Sequence, residues 1–599
     1  MFKENVPLQW DMDAIYPGGS RSAAFAEELQ EMESSIAKLN GALEQSLSGA
    51  QPVMASSLRE MTDFVEGILL TLRQSESFVS CLMAQDVKDS AAAGLNDRVK
   101  TIAARYASAM TRFDNLLGSV DDESWQELMN DGRLRGVAFN LSERRELAKL
   151  KLAPELEALA GDLAIDGYHG WGDFYNRLVS RAAFKDIDSD GNERVLSAGQ
   201  MHNRLSDPDR AVRQRAFQEW EREWDELSEL SAETLNRIAG FRLKLYDKRG
   251  WNSVLQEPLH MNRMSEATLG AMWAAVEEGK KVLAPYFRRK AELFGVDQLE
   301  WHDVEAPIAS SSSVIPFQEA AEFIVEQFRS FSPEMAEFSE QAFRDGWIEA
   351  EDRAGKRPGG FCTSFPKSGQ TRIFMTYSGT ASNVSTLAHE LGHAYHQHVM
   401  NDLPALSQEY AMNVAETAST FAEMIVSDRA LKAAEDDAEK LSLLEDKIGR
   451  SVAFFMNIHA RFLFETRFYE RRREGLVTAE ELCDLMETAQ REAYSGLLGG
   501  THPYFWASKL HFYLTDVPFY NFPYTFGYLF SAGLYVRAMQ EGEGFAQKYV
   551  ALLRDTGRLT VEELAKKHLD VDLEETEFWR QAVGLTADDV ALFLKMTEK

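Results

Sequence analysis

The stretch TLAHELGHAYHQH, residues 386–398, sets four histidines within ten positions of a chain that holds only 12. Within it, His389-Glu390-Leu391-Gly392-His393 matches the pattern His-Glu-x-x-His. Residues four apart on a helix lie one above the other. Two imidazoles at that spacing can therefore grip one divalent ion, for zinc at N–metal distances of about 2.0–2.1 Å. Glu390 follows His389 directly and points about 100° further round the helix. That offset suits it to engage a water molecule rather than the ion. Zinc lowers the pKa of a water that it binds, and a neighbouring carboxylate can then take its proton.

A catalytic zinc site takes three protein ligands and keeps one position open. A third histidine in the pattern His-x-x-Gly-x-x-His would need Gly at 396 and His at 399, but the chain has His396 and Val399. The remaining source is a carboxylate from a following helix. Residues 407–435 read as such a helix and carry Glu409, Glu416 and Glu423, each seven apart and so on one face. Glu416 is the best candidate, twenty-three positions after His393 and set among Met412, Val414, Ala415, Ala418 and Phe421. A carboxylate buried in such surroundings wants a cation. Glu423 is placed to steady a ligating imidazole, as zinc-bound histidines usually require, and Glu409 reads as exposed. His396 is expected at the rim of the site, contacting substrate, and His398 in solvent. The expected cofactor is one zinc ion per chain, with cobalt and manganese open on residue chemistry alone.

A second cluster lies at 510–535, LHFYLTDVPFYNFPYTFGYLFSAGLY. Tyr520, Tyr524 and Tyr528 recur every four residues, as on one helical face, although Pro523 makes the start of that face irregular. They are joined by His511. Phenols are suitable donors to an oxyanion.

The segments TLAHELGHAYH and AETASTFAEM resemble the thimet oligopeptidase and oligoendopeptidase F family of zinc peptidases. The tail HFY…PFYNFPYTFGYLF and the opening QWDMDAIYPGG are similar to its oligoendopeptidase F branch. The resemblance implies His389, His393 and Glu416 as zinc ligands and Glu390 as general base and acid. It also implies His511, Tyr520 and Tyr528 as groups on the substrate carbonyl or the tetrahedral intermediate, with Tyr524 binding substrate. RPGGFCTSF, with Gly359 and Gly360, resembles a mobile loop over the substrate. The implied fold is mainly α, a large helical ellipsoid with a deep central channel and a small sheet beside the zinc helix. That sheet is expected to offer RIFMTY (372–377) as an edge strand for an extended peptide. An N-terminal helical lobe (1–200) would precede the catalytic domain (201–599). The function implied is endopeptidase hydrolysis of short oligopeptides. The alternatives are a peptidyl-dipeptidase or carboxypeptidase of the same zinc class, and a peptide-binding metalloprotein without catalysis.

The rest of the chain must hold these groups in place. It has 599 residues, 45% of them hydrophobic and only 16 prolines, which suits long helices and a large core. Residues 21–47, 56–85 and 92–120 show apolar residues at helical spacing and are expected to pack as antiparallel helices. Residues 355–383 break the pattern and read as two short strands, FCTSF and RIFMTY, before a new helix capped by Asn383, Ser385 or Thr386. Residues 186–197 match part of a calcium loop at Asp186, Asp188, Asp190 and Gly191, but Ser197 stands where a bidentate Glu belongs, so a polar turn is the better reading. A net charge of −31 argues against nucleic acid. No apolar run is long enough for a membrane span or a signal peptide. Three scattered cysteines point to the cytoplasm. Short peptides are the expected partners, and no obligate protein partner is expected.

Overall fold

The structure, a computed structural model, describes residues 2, 5–48, 52–187, 191–308 and 314–598. Three long helices open the chain: α1 (Ala23–Ser48), α2 (Ala55–Gln85) and α3 (Ser90–Ser119). On α1 the buried side chains are Phe25, Leu29, Met32, Ile36, Leu39 and Leu43, steps of four and three that make one apolar stripe. The carboxylate of Asp89 accepts from the Ala91 and Ala92 amides and starts α3. The three helices pack on one another. Buried side chains from Trp10 to Leu141 form their core, joined by Phe365, Phe374, Ala405 and Leu406. A second core takes Val6 and then buried residues from Ala164 to Phe593. Packing therefore changes hands between Leu141 and Ala164.

Two small sheets interrupt the helices. In the first, β1 (Phe184–Ile187) pairs antiparallel with β2 (Glu193–Leu196). Of the calcium-like positions, Asp188 and Asp190 lie outside the described residues, and Asp186 accepts from Arg194 Nη2 at 2.7 Å. The second sheet holds β3 (Ile348–Glu349), β4 (Phe361–Phe365) and β5 (Gln370–Phe374) in the order β3-β5-β4. β3 runs parallel to β5, and β4 antiparallel to it. The expected edge strand is thus the central one: β5 is paired on both sides, and β4 has a single partner in the sheet.

Five further helices matter for the site: α4 (Ala381–Met400), α5 (Met412–Ala433), α6 (Asp437–Val452), α7 (Ile458–Glu474) and α8 (Phe522–Glu541). The cap of α4 is Thr380, whose hydroxyl accepts from the Asn383 amide at 3.1 Å. Asn383, an expected cap, instead accepts from the Ser378 amide and closes the preceding turn. α5 packs against both α4 and α8. Between α6 and α7 the chain makes one π turn, Ala453–Asn457. Among the described residues, no helix is long and apolar enough to cross a membrane.

Candidate active site

Two glycines set the spacing of the helices that carry the site. Gly392 on α4 faces α5 with no room for a β-carbon. On the other flank, a β-carbon at Gly527 of α8 would stand 3.0 Å from the Glu416 Cβ and 3.0 Å from the Asn413 carbonyl oxygen. α5 is thereby held at backbone distance from both neighbours, and Glu416 is brought under the histidines.

His389 and His393, four apart on α4, have ring centroids 4.9 Å apart. The Glu416 Oε2 lies 3.2 Å from His389 Nε2 and 3.6 Å from His393 Nε2. One ligand atom from each of these three residues falls within 4.8 Å of the others. Behind them, His389 Nδ1 donates to Glu423 Oε2 at 3.2 Å, which turns Nε2 toward Glu416. Glu423 is itself paired with Arg450 of α6. Ser419 Oγ donates to Glu416 Oε2 at 3.0 Å. Nothing in the spacing of Arg450 or Ser419 marks either residue in the sequence; each stands on a different helix from the motif.

Burial lowers the His393 imidazole to about 4, against the pull of Glu416, so it stays neutral. Burial alone would raise Glu416, but the hydrogen bond from His389 and the two imidazoles outweigh it and hold the carboxyl at about 2. Two imidazole nitrogens and an ionised carboxylate are a donor set that suits zinc. Glu390, on the same helix, is buried, and burial pushes its carboxyl up to about 7, against His389 and with Glu416 adding to the rise. A carboxyl tuned close to neutrality is suited to take and return a proton.

The glycine loop also comes to Glu390. A β-carbon at Gly360 would lie 3.2 Å from the Phe374 carbonyl oxygen and 4.0 Å from Glu390 Oε1. Gly359, at φ +95°, supplies the left-handed turn that feeds Gly360 into β4.

The aromatic cluster differs from the helical face read in the sequence. α8 starts only at Phe522, after Phe519 at φ 54° and Asn521, whose side chain accepts from the Phe522 amide. Tyr520 therefore precedes the helix and folds back. Its ring stacks on His511 with centroids 5.1 Å apart, and it meets Tyr524 at 5.2 Å. Tyr524 is hydrogen-bonded to Tyr520 and lies within electrostatic reach of Glu416; burial first, then Tyr520 and Glu416, push its phenol far up, so it remains a donor. Tyr528 is turned away. Its hydroxyl meets Ser451 Oγ at 3.0 Å, and its ring stacks on Phe454 at 4.5 Å. The group brought together is thus His511, Tyr520 and Tyr524.

His396 does not reach the rim. It is fully buried, with Nε2 2.9 Å from Thr556 Oγ1 and its ring stacked on Tyr410 at 4.2 Å. It shares the face of His389, seven residues before it, but one turn further along α4, where Tyr410 and Thr556 cover its ring. His398 is exposed, as expected.

The family model of peptidase family M3 matches residues 204–585, well over half of the chain. The chain belongs to peptidase family M3. An oligopeptidase F model matches residues 117–184 of the same M3 chain. Among similar proteins is an oligoendopeptidase F homolog of Lactococcus lactis subsp. lactis (strain IL1403). It is 22% identical, over 99% of this chain and 98% of that protein. Another is oligopeptidase PepF of Bacillus subtilis (strain 168), 21% identical over 94% of this chain and 84% of that protein. The crystal structure of oligoendopeptidase-F from Enterococcus faecium shares the fold, with a TM-score of 0.70 at 18% identity. It covers 95% of this chain and 99% of that one. As an M3 metallopeptidase the chain requires a metal, and His389, His393 and Glu416 form the group that could hold it.

Proposed function

We propose that this M3 peptidase is a zinc-dependent endopeptidase of short oligopeptides, acting in the cytoplasm. The observation that carries the reading is the position of Glu390, a buried carboxyl next to three convergent donors, His389, His393 and Glu416. Zinc held by those three donors supplies Lewis acidity and lowers the pKa of a water molecule.

Glu390 takes the proton of the attacking water and delivers it to the amine that leaves as the peptide C–N bond breaks. Glu423 keeps His389 turned with Nε2 toward the centre, and Arg450 pairs with Glu423 from α6. Tyr524, a neutral donor beside Glu416, and His511 hydrogen-bond to the scissile carbonyl oxygen as charge develops on it. Tyr520 aligns both rings. Gly360 leaves the space beside Glu390 open for the substrate backbone, and β4, whose outer edge has no strand partner among the described residues, is placed to pair with an extended peptide. The names of the relatives, oligoendopeptidase F and oligopeptidase, support peptides rather than folded proteins as substrates.

The test is mass spectrometry of peptides capped at both ends, incubated with the purified chain, with the chain plus a chelator, and after zinc is restored. Internal cleavage that the chelator abolishes and zinc restores is expected. Cleavage restricted to peptides with a free end would assign an exopeptidase, and binding without cleavage would remove catalysis altogether.

A further inference from the structure

Arg461 on α7 is buried at 7% exposure, and its Nε and Nη1 donate to nothing. It makes no ion pair among the described residues. A guanidinium withdrawn from water without a partner is costly, and this chain, with 95 acidic residues against 64 basic ones, has no shortage of carboxylates. A second cation is within electrostatic reach of it. Lys509 sits with Nζ 5.7 Å from the centre of the Phe505 ring and likewise has no acid in contact. Burial, with Arg461 adding to it, lowers the Lys509 ammonium to about 8. Lys509 is two residues before His511 in the chain, and Arg461 lies within electrostatic reach of His511 and Tyr524.

The acids within range are accounted for. Glu465, one turn further along α7, already accepts from the Phe519 amide and from Asn521 Nδ2. Glu305 acts on both cations, but it is exposed and contacts neither. Space is present beside Lys509 and Asn457, although Arg461 itself lines neither cavity. Cavities of about 360 Å³ and about 110 Å³ share Val304, Glu305, Asn457 and Tyr494 as lining. Lys509 lines the smaller one, and Asn457, at the end of the π turn, is one helical turn before Arg461 and so on its face of the helix.

We propose that Arg461 and Lys509 form a subsite for a carboxylate of the bound peptide, on the His511–Tyr524 side of the reacting centre. The proposal rests on the peptidase reading above. The carboxylate is either the peptide's C-terminus or an Asp or Glu side chain. An arginine fork with a lysine beside it recognises both.

Binding without turnover separates the two sources and separates this inference from the mechanism. Four hexapeptides of one sequence, with a C-terminal acid or amide and an internal Asp or Asn, are titrated calorimetrically into the zinc-loaded full chain carrying Glu390→Gln. One of the two acids is expected to bind about tenfold or more tighter than its neutral counterpart. That ratio falls toward one when Arg461→Met is added and falls partway with Lys509→Met. Without peptide, the Arg461→Met chain melts no lower than its parent, because an unpartnered buried charge has been removed. An acid-to-neutral ratio near one in the parent, or a ratio unchanged in both variants, overturns the subsite. If Arg461→Met does not fold, the less buried Lys509→Met carries the same comparison. Failure of the mechanism shows separately, as wild-type chain that cuts none of the four peptides.

Discussion

Gly392 of α4 lies so close to α5 that a β-carbon there would stand 2.5 Å from the Ala418 carbonyl oxygen and 2.6 Å from the Ser419 Cα. The contact is backbone against backbone, so it cannot be relieved by turning a side chain. It sets the distance at which Glu416, three residues before Ser419, meets the two histidines that flank Gly392 on α4. Gly392→Ala should therefore destabilise the fold by about 1–3 kcal/mol, the usual cost of overpacking, and should also lower zinc occupancy. Denaturant unfolding and elemental analysis measure the two. An unfolding midpoint unchanged from wild type would contradict the contact.

Glu423 reaches His389 Nδ1 and is also paired with Arg450. Glu423→Ala should weaken zinc binding by about 10–100-fold, the typical cost of losing a group that orients a ligating histidine. Competition with a chromophoric chelator reads this directly. Unchanged affinity would show that His389 is oriented by packing alone.

The tyrosines separate by position. Tyr524→Phe should lower kcat by about 10²-fold, as for loss of one oxyanion donor. Tyr528→Phe should leave kcat close to wild type and lower stability by about 1 kcal/mol through the lost Ser451 hydrogen bond. Steady-state kinetics on a quenched fluorescent peptide decides between them, and the opposite ranking would return Tyr528 to the site.

Much of this was legible from spacing. Four-residue intervals placed His389 and His393 on one face, and seven-residue intervals did the same for Glu416 and Glu423, because both pairs lie within unbroken helices. The same rule failed for Tyr520, Tyr524 and Tyr528. Phe519 in a left-handed conformation and the Asn521 cap end the preceding turn and begin α8 only after Tyr520. Periodicity carries no information across such a break. His396 was misplaced for another reason: its neighbours Tyr410 and Thr556 lie 14 and 160 residues away in the chain, and no local pattern foretells that the ring is buried between them. The order β3-β5-β4 was equally out of reach, since β3 and β5 are joined by pairing of distant segments.

Glu465 gives a pH signature. Burial pushes it up to about 7, against Arg242, Arg461 and its two donors. A raised folded-state pKa means that the contribution is full below the unfolded value, about 4.5, and is lost as pH rises through 7. Between pH 5 and pH 8, wild type should lose up to about 3 kcal/mol relative to Glu465→Gln. Urea unfolding of both at the two pH values checks the difference, and parallel pH profiles would contradict it.

The assignment of Glu390 is tested most directly by Glu390→Gln, assayed for zinc content and for turnover of a quenched peptide capped at both ends. About one zinc per chain should be retained, because Glu390 is not a ligand, while turnover falls by about 10³-fold or more with loss of the proton acceptor. Turnover near that of wild type, with zinc bound, would contradict the role of Glu390 in the reaction.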